Sequence, residues 1–128
     1  MISDGLCMRW GDEHMKRREH ARNDRKLIGR VVRRLRDLYR PTRMILFGSY
    51  AHGHPTTESD LDLLIIKKTK KPFYHRLVDV RRVASPVLGG HPFDPIVVTP
   101  QELRDRLAHG DQFLHEVVTK GQQVYGGE

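Results

Sequence analysis

Apolar side chains at Ile28, Val31, Val32, Leu35, Leu38 and Tyr39 recur at steps of three and four, with arginines between them. That period predicts an amphipathic helix over residues 15–40 whose second half packs on a core. Its first half, KRREHARNDRK, is polar on every side and is expected to project into solvent, and Pro41 stops it. Met44–Phe47 is a short apolar run ended by Gly48, as suits a buried strand. A short helix over Ser49–His52 and the loop GHPTTES come next. Asp60–Ile66 alternates and then turns wholly apolar, the pattern of a central strand. Phe73–Val83 reads as a helix with Leu77, Val80 and Val83 inward, and Ser85–His91 as a Pro/Gly loop. Phe93–Val98 is a third strand, with Pro95 favouring an edge or a bulge. Thr99 is placed to cap a helix over Pro100–His109, with Glu102 at its third position. Asp111 is placed to cap a last helix through Lys120, apolar at Phe113, Leu114, Val117 and Val118. Gly121 ends it, and Gln123–Tyr125 adds a short final strand. Helices alternate with strands without repeats, which predicts one small α/β (α+β) domain, a mixed sheet flanked by helices.

Length agrees, since 128 residues supply one core and not two. Residues 1–14, without periodicity and with two glycines, read as a flexible leader; residues 15–128 then form the single domain, with its core over 43–125. No apolar run approaches the roughly 18 residues of a membrane helix, and the N-terminus lacks the apolar stretch of a signal peptide. The lone Cys7 can form no internal disulfide, and a cytoplasmic location is expected. The net charge of +7 is unevenly spread: residues 1–43 carry 13 Lys/Arg against 6 Asp/Glu, whereas the remainder is balanced. A neutral body with one basic helix suggests an acidic partner, a phosphate-rich substrate or a solvated face. Aromatic residues do not interleave with those arginines, which argues against nucleic acid as the partner.

The chemistry concentrates in Ile45–Ile66, ILFGSYAHGHPTTESDLDLLII. Side chains in a strand alternate faces, so Asp60 and Asp62 point the same way while Leu61 and Leu63 enter the core. Two carboxylates this close repel and raise each other's pKa unless a cation lies between them. Hard oxygen ligands fit Mg²⁺ or Mn²⁺ held together with substrate phosphates. Gly48 lets a phosphate approach the backbone, and Ser49 offers a hydroxyl beside the free N–H groups of a starting helix. An anion cradle ends one strand and a metal clamp begins the next, which outlines a nucleoside triphosphate site.

Gly-Ser followed by a spaced Asp-x-Asp resembles the signature of the DNA polymerase β-like nucleotidyltransferase superfamily. Within it, the compact size and GSYAHG…SDLDLLI resemble the minimal nucleotidyltransferases of bacteria and archaea, over about Arg43 to Tyr125. The resemblance implies the polymerase β-like fold, with ATP as the nucleotide substrate and Mg²⁺ or Mn²⁺ at Asp60 and Asp62. It also implies a third carboxylate on a neighbouring strand, and Asp94 stands where one is expected. Asp94 would complete the metal site and act as base toward the acceptor hydroxyl, and Gly48 and Ser49 would bind the triphosphate. The family often carries Arg where this chain has His52. His54, Lys67 and Lys68 are further candidates for phosphate contacts.

The reaction so implied is attack of an acceptor hydroxyl on the α-phosphorus, transferring AMP and releasing pyrophosphate. Minimal nucleotidyltransferases are often paired with a helical HEPN protein, commonly as antitoxins that add AMP to a ribonuclease toxin. By that resemblance the acceptor is a hydroxyl on such a partner, the assembly a homo- or hetero-oligomer, and the basic first helix a docking element. Two alternatives stand beside it. One is an antitoxin that occludes its partner without catalysis. The other is a small-molecule nucleotidyltransferase of the aminoglycoside-modifying type, which would need an acidic acceptor pocket.

Overall fold

The computed structural model describes residues 24–53, 55 and 59–126. The expected leader, residues 1–14, and the first part of the expected basic helix lie outside them. Helix α1 is described from residue 24 to residue 34 and widens into a π turn over Leu35–Tyr39. It buries Leu27, Val31, Leu35 and Tyr39, a strict step of four. Leu38, expected inside, is 59% exposed. The cause is the wide turn: the Arg40 N–H donates to Leu35 O at 2.9 Å, five residues back, with Arg40 itself left-handed at φ 58°. The extra residue per turn keeps Tyr39 above Leu35 and rotates Leu38 outward.

Four strands follow: β1 (Arg43–Phe47), β2 (Leu61–Ile66), β3 (Phe93–Val98) and β4 (Gln122–Tyr125). They form one sheet in the order β3-β2-β1-β4, with β1 antiparallel to β2 and β4, and β2 parallel to β3. The sheet is thus mixed, as expected, and Pro95 sits in an edge strand among the described residues. A parallel pair needs a long crossover, and α2 (Phe73–Leu88) supplies it. This helix runs one turn past the expected boundary and takes Pro86 inside it. Pro86 is exposed, so the carbonyl it leaves unpaired can reach water, while Val87 and Leu88 gain contact with the core. Helices α3 (Pro100–Ala108) and α4 (Gln112–Lys120) complete the fold. Both start as the sequence predicts: Thr99 and Glu102 form a reciprocal capping box, and the Asp111 side chain accepts from the Leu114 N–H.

Both faces of the sheet are covered, which explains why β2 reads LLII. Leu61, Leu63 and Ile65 enter one cluster with Val31, Leu35 and Val80, under α1 and α2. Leu64 and Ile66 enter a second with Ile45, Leu103 and Leu114, under α3 and α4. Even β strand positions of this second face, and not the first, carry the chemistry discussed below.

One arginine of α2 is held inside the fold. Arg76 of α2 is only 7% exposed. Its guanidinium grips Glu102 through two hydrogen bonds of 2.6 and 3.2 Å and donates to Lys71 O and Val97 O. Glu102 is at the same time the capping-box residue of α3, so one ion pair joins α2, β3 and α3. Hydrogen bonding from Arg76 holds the Glu102 carboxyl below its usual range. Arg76→Met keeps the apolar stem but orphans two carbonyls and the carboxylate, and is expected to destabilise by about 2–3 kcal/mol. Urea unfolding checks this against the exposed Arg82→Met, expected to stay within about 0.5 kcal/mol of the parent.

Candidate active site

The register of two strand pairs assembles the site. Phe47, the last residue of β1, lies opposite Asp62 in the antiparallel pair, and Asp62 lies beside Asp94 in the parallel pair. In-register neighbours share a face about 4.8 Å apart, so the carboxylates of Asp62 and Asp94 face the same space. Burial of Leu61 and Leu63 on the opposite face fixes this register, since a slip by one residue would bury Asp62 instead. Asp60 immediately precedes β2 and is exposed, as is Asp94, while Asp62 is half-buried. The structure therefore brings Asp62 and Asp94 side by side, although 32 positions separate them, with Asp60 just before the start of β2.

Their electrostatics show what is missing between them. The Asp62 carboxyl is pushed up to about 6, first by burial, then by the charges of Asp94 and Asp60 and by a hydrogen bond with Asp94. A site that favours a proton on a carboxylate is one where a cation relieves the same repulsion. No three His, Cys, Asp or Glu side chains among the described residues close up into a ready-made metal cage. Two oxygen-bearing groups in register, with a third nearby, nevertheless suit a small hard cation that keeps waters and takes its other ligands from phosphates. The donor set fits such an ion.

The raised value also fixes the sign of a stability effect. The folded chain binds the Asp62 proton more tightly than the unfolded chain, so metal-free stability falls as pH rises from about 4 to about 6 and is level above. Asp62→Asn removes that penalty. With solvent screening allowed for, it is expected to stabilise the metal-free protein by roughly 1 kcal/mol at pH 7, a few degrees in Tm. Thermal unfolding in EDTA at pH 4.5 and 7.5 checks it: the variant's advantage should be present at the higher pH and shrink at the lower.

Above Asp62 the chain turns through a 3-10 helix, Gly48–Tyr50. Gly48 has φ +72°, and a Cβ built on it would lie 2.2 Å from Asp62 Oδ2. Only glycine leaves the carboxylate in place there. Ser49 is the second residue of the same turn, whose leading N–H groups have no carbonyl within the turn to bond. Tyr50 is buried and its hydroxyl lies 2.8 Å from His91 Nε2, which ties this turn to the lead-in of β3. Arg81 donates to Phe93 O from α2 and steadies the same lead-in. Nothing in the sequence marked Tyr50 or His91 as a pair, because their contact spans 41 residues.

A cavity of about 330 Å³ opens from Gly48 and Asp62 toward α4. Its walls include Phe47 and Phe113, and its rim carries His52 and Lys120. His52 is thus at the cleft, exposed, while His54 lies outside the described residues. Lys67 and Lys68 do not reach it. They follow the far end of β2, and Lys67 lies over the Tyr39 ring and donates to Tyr39 O. The two lysines stand a strand's length from Asp62.

Comparison with known proteins bears on the family and the fold. A family profile described as a nucleotidyltransferase domain matches residues 28–118. Over 46 residues the chain is 48% identical to a Methanocaldococcus jannaschii protein provisionally named a protein adenylyltransferase. That stretch is 34% of this chain and 46% of the relative, so the match spans under half of the archaeal protein. A chain in a mutant crystal structure of the toxin–antitoxin MntA–HpeT superposes with a TM-score of 0.55 at 20% identity, covering 78% of this chain and 73% of that one. At that identity the likeness is one of fold.

Proposed function

We propose that this chain, which belongs to the nucleotidyltransferase domain family, transfers AMP from ATP to a hydroxyl on a protein partner, a HEPN-type toxin, and acts as its antitoxin. The observation that carries the reading is the register pair Asp62–Asp94 beneath Gly48, carboxylates and phosphate cradle on one sheet edge. The name of the archaeal relative supports protein as the acceptor, and the toxin–antitoxin neighbour supports a toxin as that protein.

Asp60, Asp62 and Asp94 would hold Mg²⁺ or Mn²⁺, which supplies positive charge to the phosphate oxygens as the α-phosphorus is attacked. Gly48 and Ser49 position the triphosphate through backbone N–H groups and a hydroxyl. Asp94, exposed at the cleft mouth, accepts the proton of the attacking hydroxyl. The new bond joins that oxygen to the α-phosphorus, the bond to the bridging oxygen breaks, and pyrophosphate leaves with its electron pair. No helix of the described residues is long and apolar enough to cross a membrane, which agrees with an acceptor met in solution.

The test is to incubate the protein with ATP, Mg²⁺ and a co-expressed HEPN partner and to weigh the partner by mass spectrometry. A gain equal to AMP supports the reading. No gain with any of the four nucleotides overturns it.

A further inference from the structure

Helix α4 is apolar at Phe113, Leu114, Val117 and Val118, as the sequence shows. Leu114 and Val117 are buried, but Phe113 is 49% exposed. Exposure alone does not set Phe113 apart, since Phe73 is 48% exposed; what sets it apart is its place in the wall of the cavity that holds Gly48 and Asp62. The ring's inner side is accounted for: it meets Phe47 in a T-shaped contact, with centroids 5.6 Å apart and planes at 83°. A T-shaped contact uses one ring's edge and the other's face, so substantial ring surface remains open to the cavity that runs to Gly48 and Asp62. Glu116, Val117 and Lys120 line the same cavity at steps of three and four from Phe113, so one stripe of α4 forms its wall. Glu116 and Lys120 pair at 3.3 Å on the rim. The apolar ring and the phosphate cradle thus share one space of a size that takes a small ligand.

We infer that Phe113 is the stacking platform for the base of the bound nucleotide, and that purine nucleoside triphosphates are the preferred substrates. The inference rests on the nucleotidyltransferase reading and adds to it where the base goes and how it is chosen. A π-face stacks on every base and gains most from the larger purine ring system, so discrimination falls between purine and pyrimidine more than between adenine and guanine. Phe47 holds the platform upright from beneath, at the residue just before the phosphate cradle.

The experiment measures binding of ATP, CTP and inorganic tripolyphosphate, each with Mg²⁺, by calorimetry on the full chain. For the parent, ATP is expected to bind several-fold more tightly than CTP. Phe113→Leu keeps an apolar contact for Phe47 but lacks the ring; it is expected to weaken ATP roughly tenfold and to leave tripolyphosphate unchanged. Phe113→Trp is expected to keep or improve ATP affinity. If the parent binds neither ATP nor tripolyphosphate, the nucleotide reading itself fails. If the parent binds ATP and Phe113→Leu binds it equally well, only the stacking assignment fails. Equal loss of ATP and tripolyphosphate in Phe113→Leu, with no recovery in Phe113→Trp, would mean a packing role for the ring and would also overturn it.

Discussion

Replacing Asp60 and Asp62 together by alanine is expected to lower AMP transfer by about three orders of magnitude or more, without loss of the fold. Groups that act as a unit on one developing charge fail together, and losses of this size follow their removal. The fold should survive because Asp60 is exposed and Asp62 opposes folding. Asp62 is held against its own charge by burial and by its neighbours, so removing it relieves a strain that the metal-free protein carries. Transfer is read by mass spectrometry of the partner, and folding by thermal unfolding. Residual transfer above about a tenth of the parent rate would show that the acidic edge is not the machinery. Partner neutralisation that persists in full while transfer is gone would instead establish occlusion as the antitoxin mechanism.

Gly48→Ala is expected to do nearly as much by adding one methyl group. The Cβ would lie 2.2 Å from Asp62 Oδ2, far inside contact distance, and that oxygen belongs to the carboxylate proposed to hold the ion. Either Asp62 swings away or the 3-10 turn shifts, and each separates phosphate cradle from carboxylate. Nucleotide affinity should fall by about 100-fold, with stability down by about 2 kcal/mol from backbone strain and crowding together. Gly53→Ala is the control. Gly53 has a similar left-handed φ of +76°, but its added Cβ meets nothing within 4 Å. It should cost only the strain, about 1 kcal/mol, with nucleotide affinity unchanged. Equal affinity loss in both variants would assign the effect to loop conformation and not to the cradle.

How much of this was legible beforehand depended on the range of the interaction. The strands, the Thr99–Glu102 box and the Asp111 cap are local matters of period and side-chain reach, and each lies within a residue or two of its expected bounds. Asp62 was legible because strand alternation sets it on the face opposite Leu61 and Leu63, while Asp60, expected in the same strand, falls just before it. Asp94 needed the family resemblance, since only the parallel register shows that it stands beside Asp62. The errors are also physical. Leu38 fits a helical period that a π turn then breaks. Ser85-Pro86 reads as a helix boundary, yet Val87 and Leu88 packing carries α2 onward. Arg76 is held by a partner 26 residues away, beyond the reach of a local pattern, and the period that marks Phe113 as apolar does not say how deep the helix sits.

Pro95 first drew notice as a flaw in its strand. It lies next to Asp94 in the outermost strand of the described sheet, with no further strand beyond it. Arg81 and Arg76 occupy the carbonyls of Phe93 and Val97 near the two ends of that strand. An unpaired margin between them would invite an extended chain to add itself as a further strand and to seed aggregation. A proline is tolerated in an edge strand where its nitrogen faces outward, and there it withholds the donor that such an intruder would need. Pro95 thereby guards the stretch of chain beside Asp94 against strand addition.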